Sequence, residues 1–189
     1  MPENIPGTVL KFSKEIRNNA FATLDPLLSV TKGLTLGQIS ELTGLSGDTI
    51  QNWIKRGWVA RPEGKRYGET QVVRIILINM LRSIIPMEQI IGLMEYINGD
   101  VEDRDDDIIP DRQLFNYLCA VIWQAETGNI TDKEEIKNII ELEISDFKRD
   151  GEKDKKKLEN VILCMTLAHI SAKIKKEADA QIQAVLFDK

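Results

Sequence analysis

Histidine and cysteine, the residues that most often bind metals or carry redox chemistry, are scarce in this sequence. Its 189 residues include one histidine and two cysteines, and Cys119 and Cys164 stand far apart without a C-x-x-C pair. Both cysteines fall in apolar helical patterns, so we predict two reduced thiols that fill core space. His169 is predicted to pack in the same way, with a metal or thiol sensor as the alternative. We therefore expect no metal site and no cofactor.

Signatures of catalysis and of membrane insertion are also missing. The sequence contains no nucleophile elbow, no phosphate-binding glycine loop and no HExxH motif, so we do not expect an enzyme. Its densest apolar run, residues 161–170, is interrupted by Thr166 and His169 and is shorter than a membrane span. Met1 is followed by polar residues rather than by the apolar segment of a signal peptide. The expectation is a cytoplasmic protein with no membrane partner.

Acidic residues are in excess, but the charge is unevenly distributed. The chain has 25 basic and 30 acidic residues and a net charge of −5, which alone argues against a nucleic-acid partner. Residues 46–85 nevertheless hold seven basic residues against three acidic ones, whereas residues 100–112 hold seven acidic residues against two basic ones. The basic charge is therefore local to one segment. The 42% of hydrophobic residues is enough for a folded core.

The first 33 residues predict an arm followed by a helix. Residues 1–8 are polar and contain two prolines, which is typical of a loose arm. Apolar residues then recur at roughly helical spacing over residues 9–21. Asp25 and Pro26 have the pattern of a helix start, so a short helical turn is expected over residues 27–30.

Residues 34–57 predict two helices joined by a tight turn. Thr35 and Gln38 form the capping-box pattern at the start of the first helix. Gly44 supplies the positive φ that a sharp corner between helices needs, and Ser46 is a good cap for the second helix. This is the arrangement of a helix-turn-helix, which places its second helix in a DNA groove.

The second predicted helix has two chemically different faces. Ile50, Trp53 and Ile54 recur at helical spacing, so we expect them to point inward, with Trp53 in the core rather than stacked on a base. The opposite side is polar and is the candidate DNA-contacting surface, with Gln51, Asn52 and Lys55 as the candidates for contact with base edges. Its members are Asp48, Gln51, Asn52 and Lys55, with Thr49 and Arg56 flanking them.

A short β-hairpin, the wing of a winged helix-turn-helix, is predicted after this helix. Residues 58–60 and 65–67 are short extended runs on either side of a Pro/Gly turn. Two apolar helices complete the predicted domain, one over residues 70–85 and one from Pro86 to residue 98.

An acidic linker over residues 99–110 is the predicted boundary between two domains. Three further helices are expected to start near Asp111, at a capping box from Thr131, and near Leu158. They form a helical bundle over residues 111–189. The predicted fold class is therefore mainly α, with a winged helix-turn-helix followed by a C-terminal helical bundle.

Residues 34–98 resemble the DNA-binding domain of MerR-type regulators. The shared pattern is a turn reading T-G-hydrophobic-S, an aromatic residue in the second helix, a basic wing ending in tyrosine, and a helix pair. Gln51 and Lys65 stand where the resemblance implies arginine. The chain as a whole also resembles a family of helical bacterial proteins said to carry a MerR-like domain. The matching positions are Thr43-Gly44-Leu45-Ser46, Thr49-Ile50, Trp53, Lys55-Arg56-Gly57, Arg66-Tyr67, Arg74-Ile75 and Pro86-Met87-Glu88-Gln89-Ile90-Ile91.

These patterns predict how DNA is contacted. Gln51 and Asn52 can each pair with adenine through two hydrogen bonds, and Lys55 can reach the O6 and N7 atoms of guanine. The alternative is an ordinary solvated face, and for Tyr67 a ring packed beneath the wing. The residues predicted to hold phosphates are Arg56, Arg61, Lys65 and Arg66, with the hydroxyl of Tyr67.

The expected function is sequence-specific binding of double-stranded DNA by a transcriptional regulator. One half-site buries too little surface for high specificity, so a homodimer through the C-terminal helices is expected. The bundle leaves room for an effector of unidentified chemistry. The alternative function is a protein-interaction or ligand-sensing helical module in which the helix-turn-helix is mainly a scaffold.

Overall fold

All regular secondary structure in the described part of the chain is helical. The computed structural model describes residues 2–99, 107–148 and 151–187. Within these ranges it contains two 3-10 helices, eight α-helices and no β-strand. The 3-10 helices are Lys14–Ile16 and Ala20–Leu24. The α-helices are α1 Asp25–Thr31, α2 Leu36–Thr43, α3 Gly47–Lys55, α4 Glu69–Leu81, α5 Met87–Asn98, α6 Asp111–Thr127, α7 Lys133–Glu143 and α8 Glu152–Phe187.

The mainly α class is thus confirmed. None of these helices is both long enough and apolar enough to cross a lipid bilayer.

The N-terminal arm is packed against the body rather than loose. The amide of Ile5 donates to the carbonyl of Leu10 at 2.8 Å, and the amide of Phe12 donates to the carbonyl of Glu3 at 3.1 Å. These bonds hold residues 3–12 as two short non-helical segments that lie side by side. The helix predicted over residues 9–21 is therefore wrong, and two short 3-10 helices follow instead. Gly7 has φ +77° and its Cα lies so close to α4 that an added Cβ would meet the Ile76 carbonyl oxygen at 2.3 Å.

Helices α2 and α3 begin and end where their capping residues predict. The Thr35 side chain accepts from the Gln38 amide while the Gln38 side chain accepts from the Thr35 amide, which completes the capping box. Gly44 ends α2 with φ 71°. The side chain of Ser46 caps α3 by accepting from the Thr49 amide. The two helices are therefore joined by the tight turn that the sequence predicts.

The predicted wing is a loop rather than a two-stranded hairpin. Isolated bridges pair Glu63 with Arg66 and Leu34 with Tyr67, without forming a ladder. The turn takes up most of the segment, since Lys65 has φ 67°, and too few residues remain on either side to pair as strands. The loop is instead closed by two hydrogen bonds of 2.8 Å between the backbones of Leu34 and Tyr67.

Helix α4 lies at the centre of the fold. Nine of its 13 residues are buried, and it contacts α2, α5, α6 and α8. Helices α6, α7 and α8 also pack pairwise. One hydrophobic cluster consequently extends from Ile5 to Ile170. The acidic linker predicted over residues 99–110 falls mostly on residues 100–106, which lie outside the described residues.

The last two helices begin at different residues from those predicted. Asp132, rather than Thr131, caps α7 because its carboxylate accepts from the amides of Glu134 and Glu135. Helix α8 begins at Glu152 instead of near Leu158 and has 36 residues, which corresponds to about 54 Å of helix. Its buried residues end at Ile170, so roughly its second half projects beyond the body.

The two cysteines occupy different environments. Cys119 is buried, and burial raises the pKa of its thiol well above the ordinary value. Cys164 is exposed on α8, so the prediction that it fills core space is wrong. His169 is partly buried, with Nε2 at 3.0 Å from Oε1 of Glu126. No group of three or more His, Cys, Asp or Glu side chains in the described ranges could hold a metal ion.

Candidate nucleic-acid interface

Helix α3 has a polar face that is exposed to solvent and an apolar face that packs against the core. Ile50 is fully buried and Trp53 is 4% exposed, so both anchor the helix to the core. Gln51 and Asn52 are exposed and point away from that core. Thr49 is half-buried and its hydroxyl lies 2.9 Å from the hydroxyl of Ser46, so it takes part in the helix cap.

The end of α3 carries two exposed cations. Lys55 makes no hydrogen bond or ion pair within the described residues, while Nε of Arg56 donates to Oδ1 of Asn52 at 3.4 Å. The guanidinium of Arg56 also lies over the ring of Trp58, 5.0 Å from its centroid. The stacking limits the positions that the Arg56 guanidinium can take while leaving its other N–H groups available to an acceptor.

The loop that follows brings three more basic side chains to the surface. Arg61, Lys65 and Arg66 are all exposed. Nη1 of Arg66 donates to the carbonyl oxygen of Gly33 at 3.1 Å, which holds the loop against the segment that follows α1. The side chain of Gln71 donates to the carbonyl of Arg61 at 3.3 Å and ties the other end of the loop to α4.

Tyr67 differs from the other predicted contact residues because it is buried. The residue is 4% exposed, and burial raises the pKa of its phenol. Its backbone makes both bonds of the Leu34 bridge. The ring therefore packs beneath the loop, as in the alternative that the sequence left open.

Lys32 is a basic residue near this loop that the sequence analysis did not select. It is exposed, has φ 51°, and ends α1 immediately before Gly33, whose carbonyl accepts from Arg66. It therefore lies close to the part of the loop that carries Arg66. The pairing of residues 33–34 with the loop is a contact between distant parts of the sequence, so no local pattern marks Lys32.

A buried polar network lies under the same loop. Arg74 is 2% exposed, and its Nε donates to the carbonyl of Trp58 at 2.8 Å. Its Nη1 lies 3.9 Å from Oδ2 of Asp111, and the Asn98 side chain donates to Oδ1 of Asp111 at 3.0 Å. Arg74 thus adds no surface charge, and instead connects the end of α3 to the beginning of α6.

The adjacent Arg112 adds a second link, which joins the beginning of α6 to α1 and α4. Its guanidinium forms a bidentate pair with the Asp25 carboxylate at 2.7 and 2.8 Å, and Nη1 lies 2.9 Å from Oε2 of Glu69. Such fork-shaped pairing fixes orientation as well as charge. The first residues of α6 therefore position α1 and α4, and through them the candidate interface.

The described residues thus form an all-α fold that presents an exposed polar helix followed by a basic loop. Residues 25–118 match the model described as "Domain of unknown function (DUF1836)", so this segment is similar to that family. This segment includes every residue predicted to contact DNA, and it continues through the acidic residues into α6. The resemblance to MerR-type regulators stays a prediction.

One curated relative has been found. The "Uncharacterized protein YkrK" of Bacillus subtilis (strain 168) is 33% identical over 102 residues, which are 52% of this chain and 43% of that protein. The similarity therefore spans less than half of the relative. No solved structure matches this chain.

Proposed function

We propose that the protein is a regulator of transcription that binds double-stranded DNA through α3 and the loop over residues 56–66. The observation that carries the proposal is the outer side of α3, where Gln51, Asn52, Lys55 and Arg56 are all exposed while Ile50 and Trp53 fix the helix from below. A rigid helix with polar side chains on its free face suits the major groove.

Each exposed side chain has a role that follows from its chemistry. Gln51 and Asn52 pair with adenine, and Lys55 donates to guanine. Arg56, Arg61, Lys65 and Arg66 hold phosphates, and the position of Lys32 beside Arg66 adds one more. The resemblance of residues 34–98 to a MerR-type winged helix-turn-helix supports the assignment, with a loop in the place of the wing.

We further propose a homodimer through α8. Beyond the body, Ile174, Ile182 and Val185 are 54%, 51% and 70% exposed. At about 100° per residue they share one side of the helix. Lys176 lies on the opposite side and lines a cleft against the body. The apolar stripe therefore points away from the described part of its own chain, which leaves it open to a second molecule.

The test of DNA binding is an electrophoretic shift of random-sequence duplex DNA at low salt. The purified full chain is expected to retard the duplex at micromolar concentration, because contacts to phosphates do not depend on sequence. An unshifted duplex under these conditions contradicts the proposal.

A second candidate function is supported by the same exposed stripe on α8. In that case the protein is an interaction or ligand-sensing module, and the helix pair is mainly a scaffold. An apolar stripe of this kind fits a groove on a partner protein as well as a second copy. Loss of any DNA shift together with retained self-association favours this candidate.

A further inference from the structure

We infer that the protein has a binding site for a small aromatic carboxylate between the 3-10 helix Lys14–Ile16 and the end of α6. A cleft of about 690 Å³ opens there, and small-molecule sites typically measure roughly 300–1,000 Å³. None of its lining residues belongs to the proposed DNA-contacting set. The inference therefore stands independently of the proposed function.

The floor of the cleft is aromatic. Phe12 and Trp123 line it with their rings edge to face, 4.9 Å between centroids and 81° between planes. The two residues are 7% and 6% exposed, so their positions are fixed by the core behind them. A flat aromatic ring that enters the cleft can pack on these two rings in an offset or edge-to-face arrangement. Such contacts stabilise an aromatic ligand more than burial of the same apolar area alone.

Trp123 also brings a hydrogen-bond donor that lacks an acceptor. Its indole N–H donates to no group in the described ranges, and the nitrogen keeps contact with solvent although the residue is only 6% exposed. An indole N–H can only donate, so a ligand in the cleft meets it only with an acceptor. A ligand that rests on Phe12 and Trp123 and carries an acceptor at its edge satisfies this group.

The charged residues at the cleft indicate the sign of the ligand's charge. Lys14 and Arg17 both line it, and no carboxylate does. The guanidinium of Arg17 and the ammonium of Lys14 make no hydrogen bond or ion pair with the described residues, although Lys14 lies near the exposed carboxylate of Glu15. Indole, guanidinium and ammonium groups are all donors. The ligand must therefore supply negatively charged acceptors, which a carboxylate does.

The combined features describe one ligand class. The ring of the ligand packs on Phe12 and Trp123, while its carboxylate oxygens accept from Arg17, Lys14 and the indole N–H. A guanidinium recognises a carboxylate through two parallel hydrogen bonds, so Arg17 contributes most to the selection of an acid over a neutral analogue.

The experiment is an isothermal titration of the full chain with 1-naphthoate and, separately, with the uncharged 1-naphthalenemethanol. Saturable binding of one naphthoate per chain is expected, with the alcohol bound at least about tenfold more weakly. Arg17→Gln is expected to weaken naphthoate binding at least about tenfold and to leave binding of the alcohol unchanged. Trp123→Phe, which keeps the ring and removes the donor, weakens naphthoate binding by a smaller factor.

The matched control is Lys156→Gln, which removes a positive charge from an exposed position outside the cleft and leaves naphthoate binding unchanged. Circular dichroism of each variant verifies that it is folded. The inference is overturned by any of three results: no saturable binding of naphthoate, equal affinities for the acid and the alcohol, or an Arg17→Gln variant that binds naphthoate like the parent protein.

Discussion

Among the exposed helix faces of this protein, those of α3 and of the end of α8 have opposite chemistry. The outer face of α3 carries Gln51, Asn52 and Lys55, whereas the outer face of the projecting half of α8 carries Ile174, Ile182 and Val185. Polar and basic side chains stay hydrated until a charged partner displaces the water. Apolar side chains on a long helix gain free energy when they are covered.

The difference between the two faces shows that the exposure of a helix face does not by itself identify the kind of partner that binds it. The α3 face suits a polyanion that is bound and released with the salt concentration, while the α8 face suits a protein surface that stays covered. Both faces belong to helices anchored in one hydrophobic core. Pairing two chains through α8 would therefore present two copies of α3 at a fixed separation, as binding to a two-fold symmetric DNA site requires.

The largest expected effect comes from breaking the buried network that joins the end of α3 to the beginning of α6. Arg74→Met removes the guanidinium that bonds to the Trp58 carbonyl and lies beside Asp111. Removing one partner of a buried pair costs about 3–5 kcal/mol in the free energy of unfolding. Urea unfolding, followed by tryptophan fluorescence and by circular dichroism, measures the loss. Arg61→Met, at an exposed position, is the control and should change it by less than about 0.5 kcal/mol. A stability close to that of the parent protein would show that the network does not hold the end of α3 against α6.

The next effect tests the apolar face of α8. Ile182→Asp is expected to raise the dissociation constant of the dimer at least about 100-fold, equivalent to about 2.7 kcal/mol, because a charge enters the apolar stripe. The side chain is 51% exposed in the single chain, so the monomer remains folded. Sedimentation velocity measures the association. Gln183→Asp places the same charge on the other side of the helix and leaves the dimer intact. A parent protein that is monomeric at micromolar concentration contradicts the role given to this face.

The basic loop near α3 is tested by salt dependence. The double variant Lys65→Gln/Arg66→Gln is expected to weaken binding to all duplex sequences and to reduce the slope of log K against log salt by about two, close to one unit per phosphate contact. Filter-binding titrations at several salt concentrations provide the slope. Lys153→Gln/Lys156→Gln removes the same charge from the start of α8 as a control. An unchanged slope in the loop variant removes the loop from the interface.

The smallest expected effect is on the pH dependence of stability, and it involves Glu126, which contacts α8 near its last buried residue. Burial works to raise the pKa of Glu126, but hydrogen bonds from His169 and Lys173 outweigh it and lower the pKa below the ordinary 4.5. A carboxylate with a lowered pKa stabilises the fold above its unfolded pKa, and this contribution is lost as the pH falls through the folded value. The free energy of unfolding should therefore drop more steeply between about pH 5 and 3 in the parent protein than in Glu126→Gln. Glu177→Gln, on the projecting half, serves as the control, and equal pH profiles for parent and Glu126→Gln would contradict the argument.

Local patterns were sufficient for the helical part of the candidate interface. The Thr35–Gln38 capping box, the positive φ of Gly44 and the Ser46 cap each depend on neighbouring residues, and all three are found in the structure. The inward position of Trp53 also follows from helical spacing and is confirmed. The sequence therefore predicts α2, α3 and the turn between them to within a residue or two.

The errors arise where distant residues meet. The arm is held by α4 through the close approach of Gly7 to Ile76, which no local pattern shows. The exposure of Cys164 depends on which side of α8 the rest of the molecule covers, and helical periodicity does not contain that information. Likewise, the sequence shows Arg74 as one of the basic residues of this segment. In the structure its guanidinium is buried and donates a hydrogen bond to the Trp58 carbonyl.

The most direct test of the central claim, sequence-specific DNA binding by a dimer, is selection from a random duplex pool. The full chain is incubated with the pool at physiological salt, and the bound molecules are amplified and sequenced over several rounds. The account predicts an enriched inverted repeat with half-sites about one helical turn apart, or a multiple of it. The same selection with Gln51→Ala/Asn52→Ala should lose the preference at specific positions of each half-site. Bound sequences that match the starting pool would contradict the claim.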